Sequence, residues 1–225
     1  MTFLELCQEL ARKAAISGSI VSVADQTGEA LRVVNWIAEA YELVQTRNTD
    51  WSFLRTDAIF AVAAPTSVYL AAAAGVDQFG EWRFADGWRC YSTAAGVADE
   101  QPVRYCKYDA FRNRYQYGNT RTMTDRPQVV TEGPDQALHF WPIPDAAYTI
   151  VGEQFRAPYK MVDNTDTPIF PAKFHRAIVY RALMLYGEYE GDATVYAAAQ
   201  TGYNDVIGKM ERHYLPEWDE PEPLA

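Results

Sequence analysis

With 225 residues, 48% of them hydrophobic and 22% charged, the chain has the size and make-up of one large globular domain or two small ones. Its formal net charge of −10 excludes a protein that grips nucleic acid by neutralising phosphates, because that needs a basic face. A negative surface that faces DNA without holding it, as a channel wall does, is compatible with this charge.

The first element is announced by Thr2 and Glu5. At this spacing a hydroxyl caps the N–H of the third helical residue, and the carboxylate reaches back to the cap. Phe3, Leu6, Cys7, Leu10, Ala11 and Ala14 recur at helical spacing until Ser17-Gly18-Ser19 stops the run. After a loop over 20–26, Thr27 is placed to cap a second helix. Its stripe of Leu31, Val34, Ile37, Ala38, Tyr41 and Val44 is widened by Trp36, Ala40 and Leu43. A stripe so broad is buried on more than one side. Arg47 suits the negative helix end.

At Asp50-Trp51-Ser52-Phe53-Leu54 the period changes. Residues 53–63 read as a strand closed by Pro65. Residues 67–74 are two-sided, since Val68-Tyr69-Leu70 favours a strand and the alanines a helix; the turn glycines Gly75, Gly80 and Gly87 decide for a strand. Short strands are expected at 81–85, 88–93 and 102–106. Tyr108, Phe111 and Tyr115 then share a helical face within 107–117, closed by Gly118. Strands resume at 127–132, 137–141 and 148–155. Gly133-Pro134-Asp135 and Pro142-Ile143-Pro144-Asp145 form the turns between them, the spacing of a meander.

Pro168 and Pro171 close this region, and Pro171 also suits the first turn of a helix. That third helix spans 172–190, with Phe174, Ile178, Arg181, Ala182, Leu185 and Tyr189 on one line. Gly191 ends it and Asp192 caps a fourth, whose stripe is Tyr196, Ala199, Tyr203, Ile207, Met210 and Tyr214. Gly202 and Gly208 weaken its intrinsic propensity, so packing must hold it. Beyond Leu215, three prolines and four acids forbid a packed core, while Trp218 and Leu224 remain as spaced apolar anchors.

The layout is therefore α+β. Two amphipathic ends must bury their stripes, and the nearest apolar surface is each other. This predicts a helical bundle built from both chain ends (1–52 and 168–214), a β-rich insertion (53–167) and an extended acidic, proline-rich C-terminal arm (215–225).

Catalytic signatures are sparse. The chain has no GxGxxG, P-loop, HExxH or GxSxG run. Its three cysteines, Cys7, Cys90 and Cys106, form no CxxC pair, which argues against a disulfide framework or zinc ribbon; Cys90 and Cys106 meet across strands in one reading, and free thiols are preferred. His139 reads as a half-buried strand residue. His175 and His213 lie on helices expected to pack, and a metal there would need a third ligand such as Glu211 or Asp205. Asp163-Asn164-Thr165-Asp166 lacks the glycine and glutamate of a calcium loop and reads as a polar turn. Asp99-Glu100 reads as a solvated turn. No catalytic, cofactor or metal site is assigned and no enzymatic activity is expected. No apolar run is long enough to span a membrane, and the first residues show no signal peptide.

Two further features point to contacts. Aromatic residues make up 14% of the chain, with 15 Tyr and 6 Trp, which fits extensive protein contact or aromatic cross-strand pairing. Arg104, Lys107, Arg112 and Arg114, with Arg121 and Arg126, are interleaved with Tyr105, Tyr108, Tyr115 and Tyr117. Such a patch can stack bases, but in an acidic chain the preferred reading is a subunit–subunit contact with a neighbour's acids through Arg104, Lys107, Arg112 and Arg114.

Three segments, read in order, resemble a known family. They are Met1-Thr2-Phe3-Leu4-Glu5-Leu6 with Val34-Asn35-Trp36-Ile37-Ala38-Glu39-Ala40-Tyr41, then Asp50-Trp51-Ser52-Phe53-Leu54-Arg55, then Phe170-Pro171-Ala172-Lys173-Phe174-His175-Arg176-Ala177-Ile178 running to Tyr186-Gly187-Glu188-Tyr189-Glu190. The chain resembles head-to-tail adaptor (connector) proteins of tailed bacteriophages, similar to the tail tubular protein A group, most weakly over 71–101. The resemblance implies a virion structural protein of the neck, made in the host cytoplasm. Such proteins form a ring, commonly of twelve copies, under the portal protein and offer a platform to tail or collar proteins. DNA passes through the lumen without specific binding, and viral genome ejection follows that path. In relatives a C-terminal segment reaches onto the portal, which here assigns portal contact to Tyr214, Leu215, Trp218 and Leu224. Relatives also imply assembly on the portal, so free chains are expected as monomers. Two other classes fit the residues: an aromatic-rich β carbohydrate-binding module using Trp82, Trp88, Tyr91 and Trp141, and a cell-wall hydrolase using Asp or Glu.

Overall fold

Thr2 starts the first helix as its spacing requires. In a computed structural model that describes residues 1–84 and 87–215, the Thr2 hydroxyl accepts from the Glu5 N–H and the Glu5 carboxylate accepts from the Thr2 N–H. Helix α1 (Phe3–Lys13) buries Phe3, Leu6, Cys7, Leu10 and Ala11. Helix α2 (Gly28–Thr46) buries Val33, Val34, Ile37, Ala40, Tyr41, Val44 and Gln45. Thr27 stands at its N-cap without a side-chain hydrogen bond. Leu31, expected in the stripe, is exposed, and Val33 takes its place. Gln45 also lies on the buried face. Its amide donates to the carbonyls of Tyr41 and Tyr159, and its oxygen accepts from the Tyr159 N–H.

The described residues form five α-helices and two β-sheets, an α+β protein. Their contacts divide the chain into a unit of Met1–Phe53 with Pro158–Ala225 and a unit of Leu54–Ala157.

In the β unit the strands are β1 (Arg55–Val62), β2 (Val68–Tyr69), β3 (Phe79–Arg83), β4 (Arg89–Ser92), β5 (Gln101–Pro102), β6 (Arg104–Tyr105), β7 (Val129–Glu132), β8 (Leu138–Trp141) and β9 (Tyr148–Arg156), with α3 (Tyr108–Tyr115) between β6 and β7. One sheet runs β1-β9-β4-β5 with β3 also on β9; the other runs β2-β8-β7-β6. Only the β6–β7 pair is parallel among the named strands.

Three sequence expectations are corrected here. The strand predicted over 67–74 contracts to β2, because 71–74 close into a turn in which Ala74 and Gly75 donate back to Leu70 and Ala72. The strand predicted over 102–106 divides at Val103 into β5 and β6, one in each sheet. The predicted meander holds only for β7 and β8; β9 crosses to the other sheet and becomes its centre, paired with β1, β3 and β4. The Pro142–Pro144 turn permits that crossing, since a strand that leaves its neighbour needs no ladder N–H there.

Inward residues of both sheets share one core. Ala58, Phe60 and Val62 of β1, Trp82, Trp88, Cys90 and Ile150 face Tyr69, Val130, Leu138 and Phe140. Phe60 lies 6.3 Å from Tyr69 and 6.4 Å from Phe140, so the sheets meet through their rings. Gly152 sits beneath Trp88, where an added Cβ would lie 2.7 Å from the indole.

In the helical unit α1, α2 and α4 (Arg176–Glu190) pack together, and α5 (Ala193–Tyr214) packs along α4. The predicted third helix begins as a 3-10 turn over Ala172–Phe174. Its buried face is Ala177, Ile178, Val179, Ala182, Leu183, Met184 and Gly187, so Tyr189, expected on the inward line, is instead 54% exposed. Gly191 is left-handed at φ 72°, and Asp192 accepts from the N–H groups of Thr194 and Val195. The segment 158–167, read from sequence as part of the insertion, is bound to the helices by Gln45 and by the Phe3 N–H, which donates to the Asp166 carbonyl at 2.7 Å.

Candidate interaction site

Trp51 anchors the aromatic cluster from which the C-terminal segment departs. It is fully buried and donates from Nε1 to the Val44 carbonyl at 3.1 Å. It stacks on Phe53 at 5.2 Å, and Phe53 meets Phe170 at 5.4 Å and Tyr214 at 5.1 Å. Phe174 closes the group at 5.7 Å from Tyr214. Tyr214, one of the residues expected at a partner, is thus held edge-on within its own chain at the last turn of α5. Burial raises its phenol pKa. Leu215 follows as the half-buried cap. Trp218 and Leu224, with the rest of the arm over 216–225, lie outside the described residues.

His175, beside this cluster, is buried and donates from Nε2 to the Phe170 carbonyl at 2.9 Å; burial lowers its pKa. It does not meet His213, which packs on Phe174 and Tyr214. Among the described residues no group of three or more His, Cys, Asp or Glu is placed to hold a metal.

The basic group lies on and beside α3. Phe111 is fully buried, Tyr115 stacks on Trp141 at 4.3 Å and Tyr108 leans on His139 at 5.9 Å. These rings pin the helix to the second sheet. His139 is half-buried there, and burial lowers its pKa. At 3.6 residues per turn, Arg112 and Arg114 fall on opposite flanks of the Phe111–Tyr115 stripe. Arg112 lies 5.8 Å over Tyr108. Arg104, Lys107, Arg112 and Arg114 are all exposed, and none pairs with a carboxylate among the described residues. Four other cations of the β unit are paired internally, Arg55 and Arg83 on Glu153, Arg89 on Glu100, and Arg126 on Asp99, while Arg121 donates to the Gln116 carbonyl and Arg156 to the Thr56 hydroxyl. Arg126 and the Ser92 N–H hold the Asp99 carboxyl below its usual range. Asp99 and Glu100 lie in a solvent-facing turn, as the sequence reading has it, and there carry ion pairs.

Other candidates resolve as structure. Asp166 accepts from the N–H groups of Val162 and Asp163, and Asn164 accepts from Val23, which makes 163–166 a polar turn clasping the loop before α2. The three cysteines are free; burial pushes the Cys7 thiol up to about 12 and the Cys90 thiol up to about 11. Cys90 and Cys106 do not meet, since Cys90 points into the core. The glycan reading fails on the same geometry. Trp82 and Trp88 are each 3% exposed, their Nε1 atoms donate to the Gln136 and Arg83 carbonyls, and Trp141 is covered by Tyr115.

One surface escaped the sequence reading. Trp36, Tyr186 and Tyr189 group on α2 and α4, with Trp36 5.7 Å from Tyr186 and 5.6 Å from Tyr189. Trp36 and Tyr189 fall on stripes that the sequence predicts to be buried, and periodicity alone does not tell the rim of a stripe from its centre.

Contact surfaces, aromatic and charged, are what these residues present. The family model described as SU10 adaptor protein matches residues 1–221. The chain belongs to that family, which is a family of phage head-to-tail adaptors. No curated protein matches the chain.

Proposed function

We propose that this chain is a structural adaptor of the virion neck that assembles into a ring, commonly of twelve copies in such proteins, between the portal and the tail. The family match over 1–221 carries the reading. On this reading a helical bundle from both chain ends forms the body of each subunit, with the β unit as its insertion. The portal is engaged by Tyr214, Leu215, Trp218 and Leu224, the last two on an extended arm. Proline favours that extended form and lowers the ordering cost of docking. Tyr214 is suited to launch the arm because the Phe53–Phe174 cluster fixes its position. Tail or collar proteins take the opposite side, and DNA crosses the lumen without specific contact.

Charge supports the channel. The helical unit, arm included, has 10 Lys/Arg against 18 Asp/Glu, while the β unit has 10 against 12. An acidic wall repels phosphates and leaves the genome free to move. No helix among the described residues is long and apolar enough to cross a membrane.

Electron microscopy of the chain mixed with its cognate portal tests the reading. Rings on the portal are the expected result, and their absence would remove it. Deleting 216–225 should abolish portal binding, and undiminished binding would refute the arm. A basic or neutral lumen in the ring map would refute the charge argument.

A further inference from the structure

We propose that the aromatic face of Trp36, Tyr186 and Tyr189 is the seat for helix α3 of a second copy of this chain. The inference rests on the ring reading above and names the surfaces that would build it.

The seat has the composition of an interface centre. Trp and Tyr offer wide apolar faces with polar tips, and they concentrate where protein contacts carry most of their energy. Tyr189 is 54% exposed and Trp36 and Tyr186 are half-buried. Arg32 covers one face of Tyr189, at 4.7 Å from the ring. Acids border the group. After burial itself, Glu190, Glu29 and Asp192 act on Tyr186 to raise its phenol pKa, which places their charge beside the rings. None of the three pairs with a cation among the described residues.

Helix α3 is the complement. Lys107, Arg112 and Arg114 are exposed and lack a carboxylate partner among the described residues. Phe111 and Tyr115 hold their backbone on the sheet, so little freedom is lost on docking. The occupant is a second copy because the acids beside the seat and the cations of α3, each without an ion-pair partner among the described residues, are opposite in sign and so complementary between two copies. The two surfaces differ, so the contact is heterologous. Each copy would offer its seat to one neighbour and its helix to the other, which closes a ring where the rotation permits.

Two half-variants isolate one such contact. Glu29→Gln, Tyr189→Ala and Glu190→Gln together break the seat and keep the helix. Lys107→Gln, Arg112→Gln and Arg114→Gln break the helix and keep the seat, and neutral replacements leave no swapped charges to pair the two broken surfaces. All six positions are exposed, and circular dichroism with thermal unfolding confirms that each variant folds. Free chains are expected to be monomers when dilute, so sedimentation velocity is run up to about millimolar chain, where a contact with a Kd in that range is populated. There the unaltered chain should associate and each variant alone should be monomeric, its self-association weakened by about a hundredfold or more. A one-to-one mixture should form a dimer and nothing larger. A monomeric mixture, or a variant that associates alone as the unaltered chain does, would overturn the contact. Portal rings of the unaltered chain alongside a monomeric mixture would refute this contact and leave the adaptor reading standing. A dimer without portal rings would do the reverse.

Discussion

The two units use the same aromatic residues in opposite ways. In the β unit the indoles are structural: Trp82 and Trp88 are sealed between two sheets, and every indole N–H there finds a carbonyl. In the helical unit the rings divide into a buried group around Trp51 and a surface group around Trp36. The difference follows from geometry. A strand between facing sheets has one inward face, and every large residue on it becomes core. A helix at the border of a packed layer presents an arc, and residues at the end of the arc are left half out. Aromatic excess in a sequence is thus ambiguous until the period of its neighbours is resolved.

Removing Trp51 should have the largest effect. Trp51→Ala deletes a fully buried indole and leaves the Val44 carbonyl without its donor, so a loss of about 3–5 kcal/mol is expected in chemical denaturation. Tyr189→Ala, in the same unit but at the surface, should cost about 1 kcal/mol or less, the size of an exposed cation–π contact with Arg32. Equal losses at the two sites would erase the distinction between buried and surface rings.

Gly152→Ala tests the β unit by adding instead of removing. The new Cβ would sit 2.7 Å from the Trp88 ring, and that ring is locked by its bond to the Arg83 carbonyl at 2.7 Å. Neither side can yield cheaply, so a loss of about 1–3 kcal/mol is expected. A neutral result in thermal unfolding would mean that the sheets are less tightly packed than the ring distances imply.

The helix caps come next in size. Asp192→Ala removes the acceptor for two N–H groups at the start of α5 and should cost about 0.5–2 kcal/mol. Thr27→Ala, at a position that looks equivalent in sequence but makes no side-chain bond, should stay within about 0.5 kcal/mol. If Thr27 proves the costlier site by equilibrium denaturation, capping does not set the difference between these helices.

Local chemistry was legible. Thr2 with Glu5, Gly191 with Asp192, and the Asp50–Leu54 change of period all announced their elements, because each acts within a few residues. Long-range placement was not. Nothing within 142–155 states that β9 pairs with β1, some 90 residues earlier, instead of with β8; that choice belongs to the two-sheet core. Likewise Tyr189 satisfied the helical spacing, yet the face that α4 buries against its neighbours leaves it outside. The basic group on α3 was visible in composition, but that no carboxylate among the described residues pairs with it depends on where the fold places the acids.

The smallest effect, and one opposite in sign, is expected from the glycines of α5. Gly208 has only the Arg212 guanidinium near its Cβ position, at 3.8 Å. Gly208→Ala therefore meets ordinary contact while restoring helix propensity and restricting the unfolded chain, a gain of about 0.5–1 kcal/mol. Gly202 carries the same intrinsic cost, but its Cβ would lie 2.8 Å from the Tyr180 ring. Tyr180 is half-buried, and moving it would disturb its contact with Lys13, whose ammonium lies 5.2 Å from the ring. Gly202→Ala should therefore gain less than Gly208→Ala, or lose. Thermal midpoints of the two variants compare the sites directly. A larger gain at Gly202 would show that α5 can shift away from α4, and packing would then not be what holds this glycine-bearing helix in place.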